Sequence, residues 1–128
     1  MEVHVIRLAR VLLGAVVMVS LSTVPRTARA QDVAAVNPGN MKVTLDNQQV
    51  RVMEATLKPG VKERMHSHPS SIVYVLTGGK VRSHTPDGKV SDATYTAGQT
   101  LYREPLTHWA ENVGTTTIHL LVIELKNR

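Results

Sequence analysis

Two histidines, His66 and His68, stand in the stretch Gly60-Val-Lys-Glu-Arg-Met-His66-Ser-His68-Pro69, just after a Pro-Gly turn and just before the apolar run Ile72-Val-Tyr-Val-Leu76. Side chains on an extended chain repeat their direction every second residue, so both imidazoles lie on one side of a strand and can converge on one ion. Neutral imidazole is the commonest metal ligand among side chains. The same spacing also suits two plain surface or core histidines, so the rest of the chain has to decide. A third histidine, His108, occurs in Pro105-Leu-Thr-His108-Trp-Ala-Glu-Asn112. By alternation His108, Ala110 and Asn112 share one face, and Trp109 and Glu111 take the other. Small and polar residues inward with a Trp outward are odd for a core strand. They make sense if His108 joins His66 and His68 at an ion, with Ala110 leaving room beside it.

The elements that would carry these histidines are short extended runs between turns. Residues 41–45, 50–57, 64–68, 71–77, 80–85, 90–96, 100–103, 107–113 and 116–125 read as strands, with Lys58-Pro59-Gly60, Gly78-Gly79, Pro86-Asp87-Gly88-Lys89, Ala97-Gly98 and Gly114 as turns. Pro-Asp-Gly is a hairpin signal because proline fixes φ and glycine tolerates φ > 0. No stretch after residue 30 keeps a helical period. The expectation is an all-β, single-domain closed or nearly closed sandwich or barrel, since closure removes exposed edges. Phe is absent, so the core falls to Val, Ile, Leu and Met, including Met53 and Met65.

Residues 1–30 read as a secretory signal peptide: Arg7 and Arg10 form a basic region, Val11 to Val24 an apolar one, and Ala28-Arg29-Ala30 a cleavage pattern before Gln31. The rival is an uncleaved anchor, although the apolar run is shorter than the roughly 20 residues a spanning helix needs. Residues 31–39 are expected as a flexible leader, and 40–126 as the barrel domain. Of the 128 residues, the first 30 hold four of the 15 Lys and Arg and one of the 10 Asp and Glu, so the remaining 98 carry a net charge of +2. With no basic run interleaved with aromatics, nucleic acid is not expected as a partner. The chain has no cysteine, which excludes disulfides, thiolate ligands and thiol nucleophiles.

The two histidine segments together resemble the two motifs of the cupin superfamily, in its small single-domain form. Gly60, five residues, His66-Ser-His68 and the closing Gly78 follow the first motif; Gly98, six residues, Pro105, His108 and Asn112 follow the second. The resemblance covers roughly residues 40–125. It implies a double-stranded β-helix, a jelly-roll-like barrel. It also implies a divalent metal ion (Fe, Zn, Mn, Ni or Cu) on His66, His68 and His108. Ser71 stands where the family has a metal-binding Glu, and the glycine between Pro105 and His108 is missing. What remains is a three-histidine site with open positions, as in cupin-type iron dioxygenases, or a site whose metal binding is weakened.

Further residues could line the cavity: Ser71; Arg64, with the parity of His66, either meeting an anionic substrate or facing solvent; Tyr102, either a hydrogen-bond donor or filler; and His119, either near the site or in the core. On the last strand the expected inward set is His119, Leu121, Ile123 and Leu125, with Glu124 and Lys126 facing water. Glu63, three residues before His66, is expected to point away, Tyr74 to pack outward, His84 to be exposed, and Trp109 to make an outer contact suited to a homodimer. The functional expectation is an exported cupin, periplasmic or secreted and not membrane-inserted after cleavage. It would act on a small organic molecule, with dioxygenase-type chemistry first and isomerase or lyase chemistry second. The alternative is a module that binds a small ligand or metal without turnover.

Overall fold

The computed structural model describes residues 31–126; the signal-peptide reading of residues 1–30 lies outside them. A one-turn helix, α1 (Val33–Val36), precedes nine strands: β1 (Met41–Asp46), β2 (Val50–Leu57), β3 (His66–His68), β4 (Ser71–Thr77), β5 (Gly79–His84), β6 (Val90–Tyr95), β7 (Thr100–Arg103), β8 (Leu106–Asn112) and β9 (Ile118–Leu125). They form a five-stranded sheet, β1-β2-β9-β4-β7, and a four-stranded sheet, β3-β8-β5-β6. All strand pairs are antiparallel. The result is a jelly-roll sandwich whose inner faces meet over Met53, Val75, Ile118, Ala55, Val73 and Val122. Among the described residues no helix is long and apolar enough to cross a membrane.

The turns follow their residue chemistry. In the hairpin between β5 and β6, Gly88 takes φ 82°, and the loop closes through the Thr85 N–H on the Lys89 carbonyl at 3.0 Å. Gly78 lies so close to the Tyr95 carbonyl that a Cβ would collide with it, which is how β4 passes into β5 beneath the end of β6. Asn112 is 2 % exposed. Its amide donates to the carbonyls of Leu57 and Thr116, both at 2.8 Å, and its oxygen accepts from the Gly114 N–H at 2.9 Å. It shares the buried face of His108 and Ala110, yet it closes the β8–β9 loop rather than reaching the histidines. Asn112→Ala would orphan the buried Leu57 carbonyl and release the Thr116 carbonyl and Gly114 N–H of the loop, so we expect a loss of about 2–3 kcal/mol in urea unfolding with metal stoichiometry unchanged.

Three expectations need correction. On β9 the inward residues are Ile118, Leu120, Val122 and Glu124: Val122 pairs with the core residues Met53 and Val73, and Glu124 is only 6 % exposed. His119, Leu121, Ile123 and Leu125 face outward. The strand is apolar on both faces because its outer side joins a row of apolar residues across the large sheet, Leu45–Val52–Ile123–Ile72–Tyr102. Alternation alone therefore gave no parity. The strand expected over 64–68 begins only at His66, because the backbone of Arg64 is taken by the side chain of Asn37. Residues 31–39, expected as a leader, carry α1, with Val33 fully buried.

Candidate metal centre

The antiparallel register places His66 directly opposite His108 across β3 and β8, and His68 opposite Leu106. Directly opposed residues share a face, and His68 returns to that face two residues on. The three rings converge inside the sandwich, with centroids 4.7 Å apart for His66–His68, 4.8 Å for His66–His108 and 5.6 Å for His68–His108. One ring nitrogen from each lies within 4.8 Å of the others.

Hydrogen bonds fix which nitrogens face the centre. His66 Nδ1 lies 2.7 Å from the Arg64 carbonyl, which only accepts, so Nδ1 carries the proton. The Asn37 amide, 3.3 Å from the same nitrogen, is the weaker neighbour and finds its acceptor in the Arg64 carbonyl. His68 Nδ1 donates to Glu124 Oε1 at 2.7 Å, a carboxylate–histidine arrangement that orients a ligand ring and raises its basicity. Both Nε2 atoms are therefore acceptors, yet they face each other at 3.0 Å. Two lone pairs at that distance repel unless a cation lies against them. The donor set therefore fits a divalent ion. His108 Nδ1 is held by Ser83 Oγ at 2.9 Å. Burial pushes the His66 pKa down to about 4 and that of His108 to about 3, each lowered further by neighbouring histidines. Both rings are neutral ligands at pH 7 without having to lose a proton.

The rings line a cavity of about 60 Å³ between the sheets, together with Glu63, Ser71, Tyr95, Arg103 and apolar core residues. That holds several waters or a molecule of a few non-hydrogen atoms. Glu63 is 8 % exposed, and its Oε2 lies 3.9 Å from His66 Nε2. Burial raises its pKa to about 7, against the opposing pull of the Ala110 backbone and Arg103. Arg103 donates through Nη2 to the Tyr95 hydroxyl and places its guanidinium carbon 5.6 Å from that ring's centroid.

No protein-family model matches the chain, and no curated protein matches it significantly. Among solved structures, a cupin domain from Bordetella pertussis Tohama I is 29 % identical over 68 % of this chain and 92 % of that one, with a TM-score of 0.63. The chain belongs to the cupin superfamily. An RmlC-like cupin family protein from Methanocaldococcus jannaschii shares the double-stranded β-helix at 14 % identity and TM-score 0.55, covering 67 % of this chain and 78 % of that one. A cupin superfamily protein from Desulfitobacterium hafniense DCB-2 does so at 13 % identity and TM-score 0.51, covering 68 % and 76 %.

In this cupin, Ser71 is 1 % exposed and lines the cavity. Three other expected lining residues do not. The Arg64 side chain is exposed, and only its backbone serves the site. Tyr102 is 60 % exposed on the outer face. His119 sits outside too, 3.5 Å from Glu54. Glu63, expected to point away, points in: residues 61–65 run beside β8 as irregular chain, with Glu63 N–H on the Ala110 carbonyl at 2.8 Å, so strand alternation does not hold there. His84, expected exposed, is half-buried and stacks on Trp109 at 3.7 Å and 3°, covering one face of the indole within the chain. Tyr74 faces outward as expected, 40 % exposed. Arg103, Tyr95, Ser83 and Glu124 were missed. Arg103 has the parity opposite to Tyr102 on β7, but a four-residue strand does not show from sequence which of the two faces inward.

Proposed function

We propose that this cupin is an exported metal protein, periplasmic or secreted, that holds a divalent ion on the Nε2 atoms of His66, His68 and His108 and acts on a small oxygenated or carboxylated molecule. The observation that carries the reading is the 3.0 Å approach of two imidazole acceptors whose other nitrogens are both occupied. Three neutral imidazoles leave the ion's positive charge undiminished, so it supplies Lewis acidity, or oxygen activation if it is iron. Around it, Arg103 is the cation suited to a substrate carboxylate, and Glu63 can hold or give up a proton near neutral pH. Dioxygenase-type chemistry is the first assignment, with isomerase or lyase chemistry second. A module that captures a metal or small ligand without turnover is the alternative, favoured by the small cavity and by Ser71 in place of a carboxylate. Export rests on the pattern of residues 1–30.

Elemental analysis of the protein purified after export by its own signal should give close to one transition-metal ion per chain. Oxygen uptake across small acids, thiols and phenolics then separates enzyme from binding module. Metal-free protein with no affinity for Fe(II), Zn(II), Ni(II) or Cu(II) would end the proposal.

A further inference from the structure

The segment between residue 30 and the barrel makes its contacts where the histidines are held. Its first turn lies along the free edge of β3: the Ser67 N–H donates to the Gln31 carbonyl at 3.0 Å, and Asp32 forms a parallel bridge to Ser67, the residue between His66 and His68. Val33 anchors the segment in the core. From there two separate relays run to two different rings. Asn37, 5 % exposed, accepts from the Arg64 N–H at 2.7 Å and donates to the Arg64 carbonyl at 3.3 Å, and that carbonyl receives His66 Nδ1–H at 2.7 Å. Asp32 takes two bonds from the Arg51 guanidinium, with Nη2 at 3.2 Å from Oδ1. Arg51 Nη1 lies 3.9 Å from Glu124 Oε2, and Glu124 Oε1 receives His68 Nδ1–H at 2.7 Å. Among the described residues Arg51 Nε is buried without a hydrogen-bond partner, so Asp32 is the main anchor of that guanidinium. Among the described residues His108 has no such link, and it is held by Ser83 on β5.

The geometry points to Gln31–Asn37 as a positioning strap for the metal centre, in which Asn37 sets the orientation of His66 through Arg64 and Asp32 sets that of His68 through Arg51 and Glu124. This rests on the metal reading above, and it goes beyond it by assigning two positioning residues that lie outside both histidine segments. The strap acts in two ways: it closes the free edge of a three-residue strand, and it fixes the tautomer that presents Nε2 inward. A segment held by so few groups makes the site conditional on its docking.

The test uses the whole residue 31–128 chain, metal-free and ¹⁵N-labelled, followed by zinc titration against a chelator. In the parent protein His66 and His68 both show the Nδ1–H tautomer. Asn37→Ala is expected to remove or broaden that signal for His66 alone. Asp32→Asn, which keeps a side-chain oxygen to cap α1 but not the charge, is expected to do so for His68 alone. The His108 signals stay unmoved in both, as a general loosening of the fold would not allow. Zinc affinity should fall about 10- to 100-fold for Asn37→Ala and about 10-fold for Asp32→Asn, with the double variant multiplying the two within about twofold because the relays share no residue. If Asn37→Ala does not fold, Asn37→Asp, which keeps the acceptor for Arg64 N–H and puts a carboxylate oxygen where the amide stood 3.3 Å from His66 Nδ1, is expected to shift the His66 Nδ1–H signal and leave those of His68 and His108 in place. Folded variants with unchanged ring signals and zinc affinity within about twofold of the parent would overturn the strap. A parent protein that binds no zinc would instead sink the metal reading, while the ring signals would still decide whether the strap orients the histidines.

Discussion

Replacing His108 with alanine will lower affinity for a divalent ion by on the order of 10³-fold while leaving a folded metal-free protein. A structural zinc site contributes about 10–16 kcal/mol shared among its ligands, so one ligand carries roughly 3–4 kcal/mol. His108 comes from a different segment than the other two, and its loss reduces the site to two rings on one three-residue strand. Truncating the buried ring enlarges the cavity it lines, so the metal-free variant is expected to stay folded with a lower urea midpoint. His119→Ala is the contrast. His119 lies on the outer face beside Glu54, and its removal should leave affinity within about twofold. Chelator competition on both variants reads the difference. Equal affinities for the two would remove His108 from the site.

The metal-free protein will lose stability on the acid side in a way that Glu63 partly offsets. His66 and His108 have folded pKa values of about 4 and about 3, below their unfolded values. Their contribution is fully present above pH ~6.5 and is lost as pH falls through those folded values. Glu63 has a folded pKa of about 7, above its unfolded value. Its contribution is present below pH ~4.5 and is lost as pH rises through 7. From pH ~6.5 to ~3.5 the unfolded chain binds about one proton more than the folded one, so stability should fall by about 1.4 kcal/mol per pH unit, a total of roughly 4 kcal/mol. Glu63→Gln removes the opposing group. It should stabilise the metal-free protein by about 3 kcal/mol at pH 8 and raise the slope to about one proton at pH ~6.5 and nearly two at pH ~5. Urea unfolding at several pH values measures both. A flat profile in either protein would mean that the rings or the carboxyl are not buried as described.

What could be read from the sequence was whatever a period of two controls. His66 and His68 share a face for that reason, and the Gly88 turn is dictated by residue chemistry. The convergence of His108 on them was inferred from Ala110 and Asn112 sharing its parity. The period gave nothing where it is absent or ambiguous. β9 is apolar on both sides, so Glu124, the carboxylate on His68, was assigned to water. Residues 61–65 are irregular, so Glu63 was pointed away. β7 has four residues, too few to set a parity, so Tyr102 was named for the cavity and Arg103 was not. Residues 31–39 looked like a leader because their partners, Arg64 and Ser67, lie about 30 residues further along the chain, beyond any local signal.

A chain without cysteine has no covalent cross-link between its elements. In this one the shortest strand, at the rim of the smaller sheet, carries two of the three imidazoles, and the third sits on the strand beside it. A bound cation would therefore serve as a removable rivet, joining the most weakly paired part of the sandwich to its interior as a disulfide does elsewhere. Emptying and filling the site would then be felt as fraying and tightening of that rim, so chemistry and mechanical integrity share a single address.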